Sequence, residues 1–232
     1  MNKKEHIKSN LNEIKNNISQ ILSIDKCSPQ IIAVSKTHSI EMITTAYQCG
    51  IKIFAENYVK ELESKISLLQ LNGIEWHFIG KIQSNKIRFI AHNTTWVHSL
   101  TNINHANLLD KYRSSIEVPL QVLIEVNISD EVSKGGCIDF EQIIALARHI
   151  QTLHNLKLRG LMGMASHTSD ENLINSQFQK LKNYFEQLKV LGFNLDQLSM
   201  GMSDDYMIAL KNGATMLRIG SKLFGNRYYN KN

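Results

Sequence analysis

The 232-residue sequence carries 43% hydrophobic and 20% charged side chains, ordinary proportions for a folded protein, so disorder is not expected. Lysine and arginine outnumber aspartate and glutamate by 26 to 21, a net charge of +5. Those basic residues are scattered and not interleaved with aromatics, so neither a nucleic-acid platform nor a membrane surface is expected. Cys27, Cys49 and Cys137 are odd in number and lack C-x-x-C spacing, which argues against a disulfide framework or a zinc site and favours a reducing cytoplasm. Nowhere do eighteen apolar residues run together, and the Lys- and Asn-rich start does not read as a secretory signal.

In chain order, Ile7, Leu11, Ile14, Ile18 and Ile21 fall at helical spacing and predict a leading amphipathic helix over 4–22. Short apolar runs then alternate with helical patterns. Strands are predicted at 30–34, 51–55, 75–79, 95–99, 119–127, 156–162, 195–199 and 214–219. Between them come helices at 39–49, 58–71, 85–92, 102–114, 139–153, 171–191 and 204–212, with a last helical turn after the eighth strand. Ile31-Ile32-Ala33-Val34 and Val122-Leu123-Ile124-Glu125-Val126 read as strands buried on both faces. Pro29 and Pro119 each precede a strand, where a missing N–H is tolerated. Eight βα units in roughly 200 to 250 residues predict one (β/α)8 TIM-type barrel spanning 1–232, with residues 1–24 packed on it as a leading helix.

In such a barrel the chemistry sits where strands end. Lys36 follows the first strand by one serine. Taken alone it reads as a solvated side chain snorkelling from a strand end, yet at a desolvated mouth its amine would suit a Schiff base. Ser199-Met200-Gly201-Met202-Ser203-Asp204-Asp205 and Arg218-Ile219-Gly220-Ser221 follow strands seven and eight, the loops that commonly bind phosphate. Ser203 reads as an N-cap, Ser221 opens the last helix, and the two aspartates are expected to point away from an anion. Arg218 is a permanent donor and, facing a pyridine nitrogen, would leave it unprotonated. Glu56-Asn57-Tyr58 and His77 are further mouth residues. Asn57 suits a ring hydroxyl, while His77 reads equally as a core histidine.

These motifs, with Ala33-Val34-Ser35-Lys36-Thr37, Trp76-His77-Phe78-Ile79-Gly80, Gln83-Ser84-Asn85-Lys86 and Arg159-Gly160-Leu161-Met162, resemble the pyridoxal phosphate homeostasis protein family. The resemblance implies a barrel similar to the N-terminal domain of alanine racemase, with pyridoxal 5'-phosphate (PLP) as an internal aldimine on Lys36. It places the phosphate near Ser203, Gly220 and Ser221, the ring nitrogen at Arg218, and Asn57, Met202 and His77 around the cofactor. The implied role is vitamin B6 homeostasis in the cytoplasm, with no catalytic residue, no metal and no established reaction. The expected partners are PLP and candidate PLP-dependent apo-enzymes, with the chain as a monomer. The alternative is a fold-type III amino-acid racemase-like enzyme, which the short stretch after Arg218 disfavours. Ala55 departs from the family by standing where a glycine precedes Glu-Asn, which puts the backbone there in question.

Overall fold

A computed structural model describes residues 2–22, 28–69, 71–131 and 134–225. Cys27 and the end of the 1–24 stretch lie outside the described residues. The elements follow the alternation read from the sequence. They begin α1 (Lys3–Ile21), β1 (Gln30–Val34), α2 (Ile40–Gln48), β2 (Ile53–Glu56), α3 (Val59–Leu68) and β3 (Glu75–Phe78). A 3-10 turn at Ser84–Lys86 leads into α4 (Ile87–Asn93), β4 (Trp96–Leu100), α5 (Ile103–Arg113), β5 (Leu120–Val126) and α6 (Phe140–Gln151). The chain continues through β6 (Leu156–Gly163), α7 (Glu171–Val190), β7 (Gln197–Ser199), α8 (Tyr206–Lys211), β8 (Met216–Ile219) and α9 (Ser221–Phe224). All eight strands are parallel and close in sequence order, β8 pairing with β1.

Strand alternation divides the core in two. Ile32, Val34, Ala55, Trp96, Leu123, Met162 and Met216 fill the barrel interior. Their strand neighbours, among them Ala33, Phe54, Phe78, Val97, Ile124 and Leu217, face outward against the helices. α1 buries Ile7, Leu11, Ile14 and Ile18 as its spacing requires, and a capping box between Asn2 and Glu5 starts it. It packs on α2, α8 and α9, and two asparagines tie it down. Asn17 donates to the Tyr206 hydroxyl at 2.7 Å and Asn10 to the Leu223 carbonyl at 3.0 Å.

Three strands, β2, β7 and β8, begin two residues later than their apolar runs, and for β2 and β8 the reason is the same. At the end of α2, Gly50 takes φ +94°, its N–H reaches the Tyr47 carbonyl and the Ile51 N–H reaches Ala46. This is a Schellman cap, and Ile51 is its buried hydrophobic residue, not the start of β2. Gly213 and Ala214 close α8 in the same way, which delays β8 to Met216. Ala55 raises no backbone difficulty: it sits in regular strand, paired with Val34 and His77.

Candidate cofactor site

A cavity of about 780 Å³ opens at the C-terminal mouth of the barrel. Lys36, Asn57, Met202, Ser203, Arg218, Gly220 and Ser221 all line it, so seven of the eight residues named from the sequence converge there.

Lys36 is half-buried, and the backbone on either side of it is held from below. Lys65 of α3, itself buried, donates to the Ser35 carbonyl at 2.7 Å, to Glu56 Oε1 at 2.7 Å and to Glu61 Oε1 at 2.6 Å. Glu61 in turn accepts the Thr37 N–H, where Thr37 adopts φ +67°. The Ser35 hydroxyl donates to Glu56 at 2.6 Å. Burial raises the Glu56 carboxyl above its ordinary range, and Lys65 and Ser35 oppose that rise. Glu56 is thus turned outward toward α3, not to the mouth as its motif had suggested, and it braces the turn that presents Lys36.

Across the cavity Ser203 works differently from its expected role. Its hydroxyl accepts the N–H groups of Gly220 at 3.2 Å and Lys222 at 3.1 Å, tying the β7 loop to the start of α9. The N-cap position of α8 belongs instead to Asp205, whose carboxylate turns back to the Met202 N–H at 2.6 Å. Asp205 therefore points away from the cavity, whereas Asp204 stays at its exposed rim. The N–H groups of Ser203 and Ser221 meet no protein acceptor among the described residues, so two donors remain for an anion.

Arg218 is buried on β8. It donates from Nη1 to the Ser199 hydroxyl at 2.6 Å and from Nη2 to the Gly163 carbonyl at 2.9 Å. Burial pushes its pKa down to about 10, opposed by the Asp205 and Glu125 charges, so it remains a cation and a donor at neutral pH. Glu125, buried on β5 and also lining the cavity, is raised by burial, with Arg218 pulling the other way. Its signal in the sequence was a lone acid inside an otherwise apolar strand. Asn57 Oδ1 is buried without a hydrogen-bond partner among the described residues, an acceptor left for a ligand's hydroxyl. Gly80 makes that placement feasible, because a Cβ there would meet the Asn57 carbonyl oxygen at 1.8 Å.

His77 is the exception. It does not line the cavity but lies fully buried in the barrel interior, with Nδ1 2.9 Å from His98 Nε2 and Nε2 3.1 Å from Glu75 Oε1. Its inward direction follows from strand alternation. Its depth, two residues into β3, puts it below the mouth. Neither His98 nor Glu75 was singled out from the sequence.

An amine, a permanent cation, two spare backbone donors and an unpartnered amide oxygen suit a small phosphorylated aldehyde with a polar ring, and the residues present fit PLP. The alanine racemase N-terminal domain model matches residues 9–228. The pyridoxal phosphate homeostasis protein of Haemophilus influenzae is 43% identical over 231 residues, 97% of either chain. PipY of Synechococcus elongatus, solved with PLP bound, is 29% identical at a TM-score of 0.83, covering 94% of this chain and all of PipY. Clostridium difficile alanine racemase, at 15% identity and a TM-score of 0.74, shares the fold over 97% of this chain and 58% of its own. The chain belongs to the pyridoxal phosphate homeostasis protein family, within the alanine racemase N-terminal domain fold.

Proposed function

We propose that this chain, as one barrel domain, binds PLP through a Schiff base on Lys36 and serves intracellular PLP homeostasis, holding the cofactor for PLP-dependent apo-enzymes. The observation that carries the reading is the convergence of Lys36, Arg218 and the spare Ser203 and Ser221 N–H groups on one cavity. The naming of the curated relatives and the PLP-bound PipY point the same way.

The residues divide the work. Ser203 and Ser221 hold the phosphate through their spare N–H groups beside Gly220, Asn57 Oδ1 accepts from the ring hydroxyl, and Met202 covers one side. PLP, when bound, supplies an aldehyde for the lysine and a ring able to take up electrons. Arg218 limits that second capacity. A guanidinium only donates, so the ring nitrogen opposite it stays unprotonated and withdraws electrons weakly. This favours holding and exchanging the cofactor over racemase chemistry, and we assign no catalytic residue.

Titration of wild type and Lys36→Ala with PLP, followed by absorbance and native mass, tests the division. Wild type should gain a visible band and one covalent equivalent. The variant should retain only weakened, non-covalent binding, held by the phosphate cradle. A variant that binds as tightly as wild type and keeps the band would remove Lys36 from the account.

A further inference from the structure

Beneath the cavity a hydrogen-bonded row crosses the barrel interior from one mouth to the other. Arg218 Nη1 donates to Ser199 Oγ at 2.6 Å, and Ser199 Oγ lies 3.0 Å from His98 Nδ1. His98 Nε2 is 2.9 Å from His77 Nδ1, and His77 Nε2 is 3.1 Å from Glu75 Oε1. The members come from β8, β7, β4 and β3. Ser199, His98 and His77 are fully buried, whereas the Glu75 side chain, at the start of β3, is 36% exposed at the far mouth.

The ends of the row fix its direction. At one end a guanidinium has no acceptor, so Ser199 Oγ accepts from Arg218; at the other a carboxylate has no donor, so His77 Nε2 donates to Glu75. With neutral rings, His77 Nδ1 then accepts from His98 Nε2, and His98 Nδ1 accepts from the Ser199 hydroxyl. Each ring thus carries its proton on Nε2. Every link points one way, from the cation to the anion, through three neutral groups. Burial depresses both imidazole pKa values, His98 well below the ordinary range, which agrees with neutral rings. The His77 hydrogen bond depresses the Glu75 carboxyl, which agrees with a carboxylate.

We infer that Glu75, His77, His98 and Ser199 are positioning residues that set the plane and polarity of Arg218 toward the cofactor ring, so that the far mouth of the barrel tunes the cofactor. This rests on the reading that PLP faces Arg218. Apart from the row, the Arg218 guanidinium is held within the protein by the Gly163 carbonyl. A buried chain of hydrogen bonds ending on an ion polarises along its length, which strengthens each link. Other charges face the same groups. Glu125 of β5 and Asp205 of the β7 loop act on Arg218, and Arg159 of β6 lies 5.1 Å from the Trp96 ring that stacks on His77. Lys36, just past the end of β1, faces the same cavity. The effect of the row is therefore read as a difference between variants that leave those charges in place.

Two measurements decide. In the cofactor-free protein, nitrogen-detected imidazole NMR at pH 7 should show His77 and His98 both neutral and both protonated on Nε2. A ring protonated on Nδ1, or charged, overturns the direction and the proposal. In the PLP-loaded protein, Ser199→Ala cuts the row beside Arg218 with little change of volume, and Ser199→Thr restores a hydroxyl. Ser199→Ala should weaken PLP binding roughly tenfold, the scale of one hydrogen bond to a charged group, and shift the pH midpoint of the cofactor's absorbance. Ser199→Thr should recover both, and Glu75→Gln, which keeps the geometry and removes the charge, should move the midpoint alone. A Ser199→Ala midpoint equal to wild type reduces the row to a structural role and overturns the proposal. A wild-type protein that takes up no PLP overturns the cofactor reading instead, and this role with it.

Discussion

The residues that carry the site differ in how plainly their chemistry shows along the chain. Lys36 and Arg218 sit at strand ends, where strand alternation and barrel geometry already aim them at one mouth. The brace on Lys36 was half visible: Glu61 and Lys65 are spaced i, i+4, but nothing in that spacing says that Lys65 is buried and also bonds Glu56 and the Ser35 carbonyl. His77 was readable as a core histidine, with Glu75 on its own strand and His98 on the neighbouring one, but the link from His98 on β4 to Ser199 on β7 was opaque, because those strands meet only across the closed barrel. The burial of the two histidines makes a prediction about acid. Both folded-state pKa values are depressed below 6.5, so below that pH the unfolded chain binds more protons than the folded one. Their contribution to stability is present above pH 6.5 and is lost as pH falls toward the folded values. Urea unfolding at pH 7 and pH 5.5 should show a drop for wild type and a smaller drop for His98→Asn, which cannot titrate. Equal drops would mean that His98 is not held neutral.

At the scale of elements, the alternation of apolar runs with helical patterns located all eight strands, most plainly β1 and β5, whose burial on both faces leaves them nearly continuously apolar. Two of the three late starts, those of β2 and β8, share one cause. Ile51 and Ala214 are apolar and follow a glycine, the pattern that opens a strand, but each is the residue after the left-handed glycine of a Schellman cap. Period and composition do not separate these two uses of an apolar residue; the hydrogen bonds do. Gly50 offers a test, because a Cβ there meets nothing within 4 Å while its φ is +94°. Gly50→Ala should therefore lower stability by about 1 to 2 kcal/mol through backbone strain alone, measured by urea denaturation, with PLP affinity unchanged. A neutral substitution would mean that the cap does not fix the end of α2.

At the scale of the molecule, ring closure brings the ends of β1 and β8 side by side, so that Lys36 from the first βα unit meets Arg218 and Ser221 from the last across one cavity. No helix among the described residues is long and apolar enough to cross a membrane. The central claim is that this juncture holds PLP on Lys36. Borohydride reduction of the PLP-incubated protein, followed by peptide mass mapping, tests it most directly. The account predicts a single pyridoxyl adduct on the peptide carrying Lys36, with loss of the visible band. A colourless protein with no adduct, or an adduct confined to other lysines, would contradict it.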